Sequence, residues 1–181
     1  MIDIAEDKII PLLKAERTRD EGFTLLMRKY QKRIYLHARR LLVSHENAED
    51  AVQETFINAY RYLHKFNQES AIYTWLYRIA TNECIRIMKK QKKIFDHSNQ
   101  MELLFDHQVS DDWSMTADEM QKRFQKAILK LPEKQRIVFN LRYFDEMGYE
   151  QMSQVLDTSV GSLKTSYHYA CEKIKETVSK Q

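Results

Sequence analysis

The chain has 181 residues, which is enough for one medium-sized domain or two small ones. With only three glycines, two prolines and a hydrophobic content of 43%, the composition predicts an all-α fold and excludes global disorder. No uninterrupted apolar run exceeds three residues, which excludes a membrane-spanning helix and a secretion signal.

The positive and negative charges are segregated along the chain. Residues 1–95 carry 18 Lys and Arg against 12 Asp and Glu, and residues 121–181 carry 11 against seven. Between them, residues 96–120 carry seven acidic residues and no Lys or Arg. Two basic blocks joined by an acidic segment suit two contacts with a polyanion.

The N-terminal block begins with two predicted helices. Apolar residues at helical spacing predict the first from Gly22 to Val43, and Ser44–Asn47 reads as a turn with capping residues. The second helix has an inward stripe that includes Ala48 and Ala59. Its opposite face carries a set of residues spaced three to four apart, which we interpret as a protein-binding face: Asp50, Gln53, Glu54 and Ile57.

A carboxylate metal site is the alternative interpretation of this face, with Glu49, Asp50 and Glu54 as ligands. The chain has no Glu-x-x-His sequence, which usually supports such a centre in a helical bundle. We expect no metal and no cofactor. A catalytic set is not recognisable either, so no enzymatic activity is predicted.

A polar turn at 67–70 precedes a third predicted helix, from Tyr73 to Lys93. Aromatic rings can stack on unpaired bases, cations can hold phosphates, and an Asn side chain can pair with a base edge. Trp75 is equally compatible with a core position. The residues that carry these groups are Tyr73, Trp75, Tyr77, Arg78, Asn82, Arg86, Lys89 and Lys90.

Residues 96–117 lack a sustained period and read as an acidic linker between domains at 1–95 and 118–181. Two further helices are predicted after the linker. The first runs from about residue 117 to Lys130, and the second covers Glu133–Tyr143 with Pro132 in its first turn. Cys84 and Cys171, far apart and outside any CxxC pair, are interpreted as free thiols of a cytoplasmic protein.

The last stretch has a helix–turn–helix pattern. Tyr149–Leu156 forms the first helix, and Thr158 and Ser159 can cap a second helix that opens at Gly161, a glycine that allows close backbone approach. The alternative is a helical hairpin whose polar face is only solvated. Residues of the second helix or its cap that are available to the major groove are Ser159, Ser162, Lys164, Thr165, His168 and Tyr169.

Several segments together resemble the extracytoplasmic-function (ECF) sigma factors, subunits of bacterial RNA polymerase that recognise promoters. In the N-terminal half these are Ala48–Phe56 and Thr74–Asn82. In the C-terminal half they are Leu131–Arg136, Tyr149–Met152 and Ser159–Lys164. The resemblance covers roughly residues 20–93 and 117–178.

The resemblance implies a transcription initiation factor whose partners are core RNA polymerase, promoter DNA and an anti-sigma factor, with no insertion into a membrane. The Asp50 face would dock on the clamp of the largest subunit, and the C-terminal domain would reach the flap of the second largest. The helix that bears Lys164 and Tyr169 would read the −35 element. The −10 element would be captured by the turn and the helix after it, through Asn67, Gln68, Glu69, Ser70, Ala71, Tyr73, Trp75, Arg78, Asn82, Arg86, Lys89 and Lys90.

The chain departs from the family pattern at Ser166 and Tyr169, where many members have Arg, so fewer charges are available for phosphates. A self-sufficient helix–turn–helix repressor or activator is the main alternative function. It predicts tight, specific binding to duplex DNA without polymerase. The metalloenzyme is the third hypothesis, and it predicts stoichiometric metal.

Overall fold

The computed structural model describes residues 6–67, 70–95 and 119–179, and every regular element in these ranges is helical. The all-α prediction is confirmed. The chain divides into two compact units, Met1–Ile87 and Met88–Gln181. The predicted linker, residues 96–117, lies outside the described residues, so the domain boundaries at its ends stay predictions.

The first unit contains three helices and most of a fourth: α1 (Glu6–Lys14), α2 (Arg19–Leu42), α3 (His45–Tyr62) and α4 (Ile72–Phe95).

Two features of this unit differ from the sequence analysis. The helix α1 was not predicted from the sequence. Pro11 lies inside it, and the buried Ile9 and Leu13 anchor it. The helix α2, which was predicted to start at Gly22, begins at Arg19, so Gly22 lies within it.

The helix α3 follows the predicted pattern. Ser44 is its N-cap, and the Ser44 Oγ accepts a hydrogen bond from the Asn47 N–H at 3.3 Å. The residues Ala48 and Ala59 of the inward stripe are fully buried. The confirmed inward stripe leaves the opposite face of α3 open to a partner.

The helix α4 packs on α2 through aromatic and polar contacts. The Tyr30 and Tyr73 ring centroids are 6.2 Å apart, and those of His37 and Tyr77 are 5.1 Å apart. The His37 Nε2 lies 3.1 Å from the Thr81 Oγ1, and both side chains are buried. These contacts fix which side of α4 is left for solvent.

Replacing Gly22 with Ala should destabilise the first unit. A Cβ at this position would lie 2.8 Å from the Leu12 Cβ and 2.8 Å from the Leu13 backbone N, where α1 crosses α2. The backbone of α1 would have to shift to make room for this Cβ. We therefore expect a loss of about 2 kcal/mol in unfolding free energy, which is larger than the gain in helix propensity. Urea unfolding measures it. Gly161→Ala is the matched control, because its Cβ would meet nothing within 4 Å; equal effects of the two changes would contradict the prediction.

The second unit contains four helices in the described range 119–179: α5 (Glu119–Leu129), α6 (Glu133–Tyr143), α7 (Tyr149–Leu156) and α8 (Val160–Ser179). Pro132 is the N-cap of α6 and thus stands just before its first turn. A hydrophobic cluster joins α5, α6 and α8: Ala127, Ile128, Leu131, Phe139, Ala170 and Ile174.

Both cysteines are free thiols. Cys84 is buried in the first unit, and this burial raises the pKa of its thiol to about 12. Cys171 is half-buried and packs against the core of the second unit. A buried thiol with a raised pKa is a weak nucleophile at neutral pH, and both cysteines are free, as the sequence analysis predicted.

Candidate nucleic-acid and protein interfaces

The outer face of α3 borders an apolar groove. Asp50 and Gln53 are exposed, Glu54 is half-buried, and Ile57 is 42% exposed despite its apolar side chain. Between this face and α2 runs an open groove of about 750 Å³, which we call the α2–α3 groove. Its apolar lining comes from both helices: Phe23, Met27, Val52, Phe56, Ile57 and Tyr60.

Of the residues that line the groove, the sequence analysis named Gln53 and Ile57 as protein-binding residues and Glu49 as an alternative metal ligand. Phe23 is buried and Met27 is half-buried. Tyr60 is 46% exposed, and its hydroxyl donates a 2.6 Å hydrogen bond to the Asp20 carboxylate. The sequence signal that could have indicated the groove was Tyr60, an aromatic residue three positions after Ile57 and therefore on the same face of α3. A groove with apolar walls and a polar rim is the usual form of a protein-binding site.

A line of polar and basic side chains runs along one side of α4. Positions 78, 82, 86 and 89 repeat every three to four residues, and all four side chains are exposed. We call this set the α4 stripe: Arg78, Asn82, Arg86 and Lys89. Lys90, beside it, is exposed as well. The cations give the stripe the charge that a phosphate backbone requires.

Arg86 is held in place by a neighbour that the sequence analysis did not single out. Its Nε donates a 2.7 Å hydrogen bond to the Glu83 Oε2, and the other oxygen of Glu83 accepts one from the Asn58 Nδ2 at 3.0 Å. The hydrogen bond and charge of Glu83 raise the pKa of Arg86, and Glu54 adds to the effect. Through these contacts, the outer face of α3 lies beside the stripe.

The three aromatic residues predicted at the start of α4 occupy different environments. Tyr77 is fully buried, so the expectation that its ring stacks on an unpaired base is wrong; α2 covers it. Trp75 is half-buried, with its ring centroid 5.2 Å from that of Phe66. Tyr73 is half-buried and lies about 140° around the helix from Arg78.

The turn before α4 is described in part. Asn67 and Ala71 are exposed and Ser70 is half-buried. Gln68 and Glu69, the centre of the predicted capture loop, lie outside the described residues.

The helix–turn–helix pattern is confirmed. Asp157 ends α7 with a left-handed φ of 49°, a conformation that Asp tolerates better than most residues. The Ser159 Oγ accepts a 3.4 Å hydrogen bond from the Ser162 N–H and so caps α8, whereas the Thr158 hydroxyl donates to the Leu156 carbonyl. The second helix begins at Val160, one residue before the predicted Gly161.

The predicted DNA-contacting residues share one exposed face of the second unit. Ser159, Ser162, Lys164, Thr165 and His168 are exposed, and Tyr169 is 54% exposed, so Tyr169 does not pack into the core.

An open groove flanks this face, and it is lined partly by the start of α6. Lys134 and Gln135 thereby join Ser162, Thr165 and Tyr169, although the sequence analysis did not single them out as contacts. The sequence analysis expected a close backbone approach at Gly161. Within this unit the expectation is wrong, since nothing lies within 4 Å of the Gly161 Cβ position.

Neither a metal site nor a membrane-spanning helix is found in the part of the chain that the structure describes. Within residues 6–67, 70–95 and 119–179, no group of three or more His, Cys, Asp or Glu side chains is placed to hold a metal ion. The Glu49 Oε1 instead lies 3.3 Å from the His45 Nε2. In the same ranges, no helix is long and apolar enough to cross a bilayer.

Two family matches cover most of the described chain. Sigma-70 region 2 matches residues 26–94, and Sigma-70, region 4 matches residues 121–174. The chain is 33% identical to the ECF RNA polymerase sigma factor SigW of Bacillus subtilis, over 86% of this chain and 88% of that protein. It is 32% identical to the RNA polymerase sigma-H factor of Pseudomonas aeruginosa, over 91% and 90% of the two chains.

Solved structures with the same fold are more distant in sequence. The sigma factor RpoE of Bartonella quintana, in complex with the anti-sigma factor NepR, matches with a TM-score of 0.70 at 20% identity, over 88% of this chain and 98% of that one. CnrH, in complex with the cytosolic domain of CnrY, matches with a TM-score of 0.68 at 18% identity, over 96% and 97%.

Proposed function

The chain belongs to the ECF sigma factors of the sigma-70 family, and we propose that its exposed faces divide the work of initiation among polymerase, −10 and −35 contacts. As a sigma factor it has no enzymatic activity of its own and directs RNA polymerase to promoters through regions 2 and 4. This membership excludes the stand-alone regulator and the metalloenzyme.

One observation carries the division of labour. The matched region 2 exposes the α4 stripe, and the matched region 4 exposes the helix–turn–helix face. The proposed roles are the −10 strand for the stripe together with residues 67–71, and the −35 duplex for α8. Capture of unpaired bases by the turn would offset an unstacking cost of a few kcal/mol.

The α2–α3 groove and the adjoining Asp50 face are proposed to dock on the polymerase clamp, and the second unit on the flap. The hydrogen bonds from Asn58 and Arg86 to Glu83 support this placement, because they join α3 to the stripe and so bring the two surfaces side by side. A polymerase bound at α3 would therefore hold the −10 strand near its own cleft. The site of action is then the cytoplasm, where bacterial polymerase and promoters are found.

An anti-sigma factor is a proposed second partner. RpoE, which shares this fold, was solved with the anti-sigma factor NepR, and CnrH was solved with the cytosolic domain of CnrY. Pull-down of the tagged chain from its source cells should recover polymerase subunits together with a restraining protein. Recovery of polymerase alone would contradict the second partner and leave the first intact.

Initiation itself is tested by reconstitution. Core polymerase from the source organism, with and without the purified chain, transcribes sheared genomic DNA, and the 5′ ends of the transcripts are mapped. We expect start sites that require the chain and share two upstream sequence elements. Start sites with only one shared element would contradict the division between the two regions.

Lys164→Ala should weaken −35 recognition by about tenfold, because an exposed cation at the reading face is lost. The Lys164 Nζ lies 5.7 Å from the centroid of the Tyr149 ring, which orients it on the face of α8. Binding of holoenzyme to duplex promoter DNA measures the change. Lys175→Ala, with the same charge change on the same exposed helix, serves as the control. Equal losses would indicate a general charge effect instead.

A further inference from the structure

A cation of α2 covers the tyrosine that begins α4. The Tyr73 ring contacts two buried rings, with centroid distances of 4.5 Å to Tyr77 and 6.2 Å to Tyr30. The Arg33 guanidinium carbon lies 5.1 Å from the Tyr73 centroid. Tyr30 and Tyr77 belong to the core whereas Arg33 is exposed, so Arg33 lies on the solvent side of this aromatic cluster.

A guanidinium over an aromatic ring is oriented without losing its charge. The ring restrains the long side chain, so less conformational entropy is lost when its N–H groups bind a phosphate. Lys29, one helical turn earlier, lies 5.9 Å from the centroid of the Tyr30 ring. The α2 surface beside the start of α4 therefore carries two cations held near aromatic rings, and an acidic group that contacts this cluster, Glu6, accepts a hydrogen bond from the Tyr30 hydroxyl.

The position of this pair relative to the proposed capture turn gives it a role. Tyr73 follows Ala71, the end of the turn, by two residues. The α4 stripe begins on another side of the same helix, about 140° away. A DNA strand with one base held in the turn continues in both directions from that base. The stripe can contact the backbone phosphates in only one of these directions.

We propose that Arg33, supported by the Tyr73 ring, binds a backbone phosphate of the unpaired promoter strand where this strand leaves the capture turn toward α2. The inference rests on the proposed −10 role of the turn. It adds α2 to the DNA-binding surface and assigns Tyr73 to positioning Arg33. A phosphate contact, unlike a base contact, is independent of the base sequence.

The test uses holoenzyme and fluorescent single strands from a promoter mapped by the initiation assay. One strand carries the −10 element alone, and the other extends beyond it on both sides. Arg33→Ala should weaken binding of the extended strand by about tenfold and that of the short strand much less. The salt dependence for the extended strand should become shallower by about 0.7 in logarithmic slope, the value for one phosphate contact of single-stranded DNA. Arg33→Lys should keep the slope and recover part of the affinity.

Arg28→Ala is the matched control, since Arg28 is exposed on α2 about 140° from Arg33. Unchanged binding by Arg33→Ala would overturn the inference, and so would a loss that follows the base sequence of the extension. An equal loss of binding with Arg28→Ala would show that only the net charge of the chain matters, and this result would also overturn the inference. Failure of wild-type holoenzyme to bind either strand would instead overturn the proposed −10 role and this inference with it.

Discussion

Ile57→Asp is expected to lower the affinity of the chain for core RNA polymerase by about a hundredfold. Ile57 is 42% exposed beside Phe56 and Tyr60 in the α2–α3 groove, so the substitution leaves the core of the first unit intact. In a complex, the new carboxylate would be buried against apolar side chains without a partner, which costs several kcal/mol. Central apolar anchors also carry a large share of binding energy at such interfaces.

Titration of labelled chain with core polymerase measures this affinity. Arg61→Ala changes the net charge by the same amount at an exposed position one turn further along α3 and should have little effect. Ile57→Ala should fall between the two, because it removes apolar area without adding a charge. Normal affinity of Ile57→Asp, with unfolding like that of the wild type, would place the polymerase contact elsewhere.

Asn82→Ala is expected to slow promoter opening by about thirtyfold while duplex binding at the −35 element stays intact. Asn82 is exposed at the middle of the α4 stripe, between Arg78 and Arg86. Its amide can make paired hydrogen bonds with a base edge, worth about 2 kcal/mol, and alanine cannot replace them. The loss should appear only after strand separation exposes that edge.

Permanganate reactivity of unpaired thymines follows opening, and gel retardation at low temperature follows duplex binding. Asn82→Gln should recover part of the opening rate because it keeps the amide, and Gln121→Ala provides an exposed amide deletion outside region 2. A premelted template should reduce the defect, since the contact then no longer has to offset unstacking. A defect in duplex binding with normal opening would reverse the assignment of the two regions.

Local pattern was sufficient where neighbours in sequence decide the structure. The helices over Glu133–Tyr143 and Tyr149–Leu156 were predicted with both ends as observed, because capping and apolar period are properties of a few adjacent residues. The same holds for the exposed face of α3. Family motifs, which are also local strings of residues, identify the chain as a sigma factor without any tertiary information.

Pattern was not sufficient where two distant segments meet. Helical spacing along α4 predicted the same environment for Tyr73 and Tyr77. In the structure, α2 buries Tyr77, whereas Tyr73 is covered by Arg33, a residue of α2 some 40 positions away in sequence. The groove lined by Phe23 and Ile57 likewise requires both α2 and α3.

The amino-acid sequence by itself determined every described α-helix except α1, most of the exposed helix faces and the family. The tertiary structure alone decided which aromatic rings reach solvent, where α1 lies and how α6 borders the face of α8. The physical reason is that helix formation and capping act over a few residues, whereas burial of a given side depends on which other helix packs there.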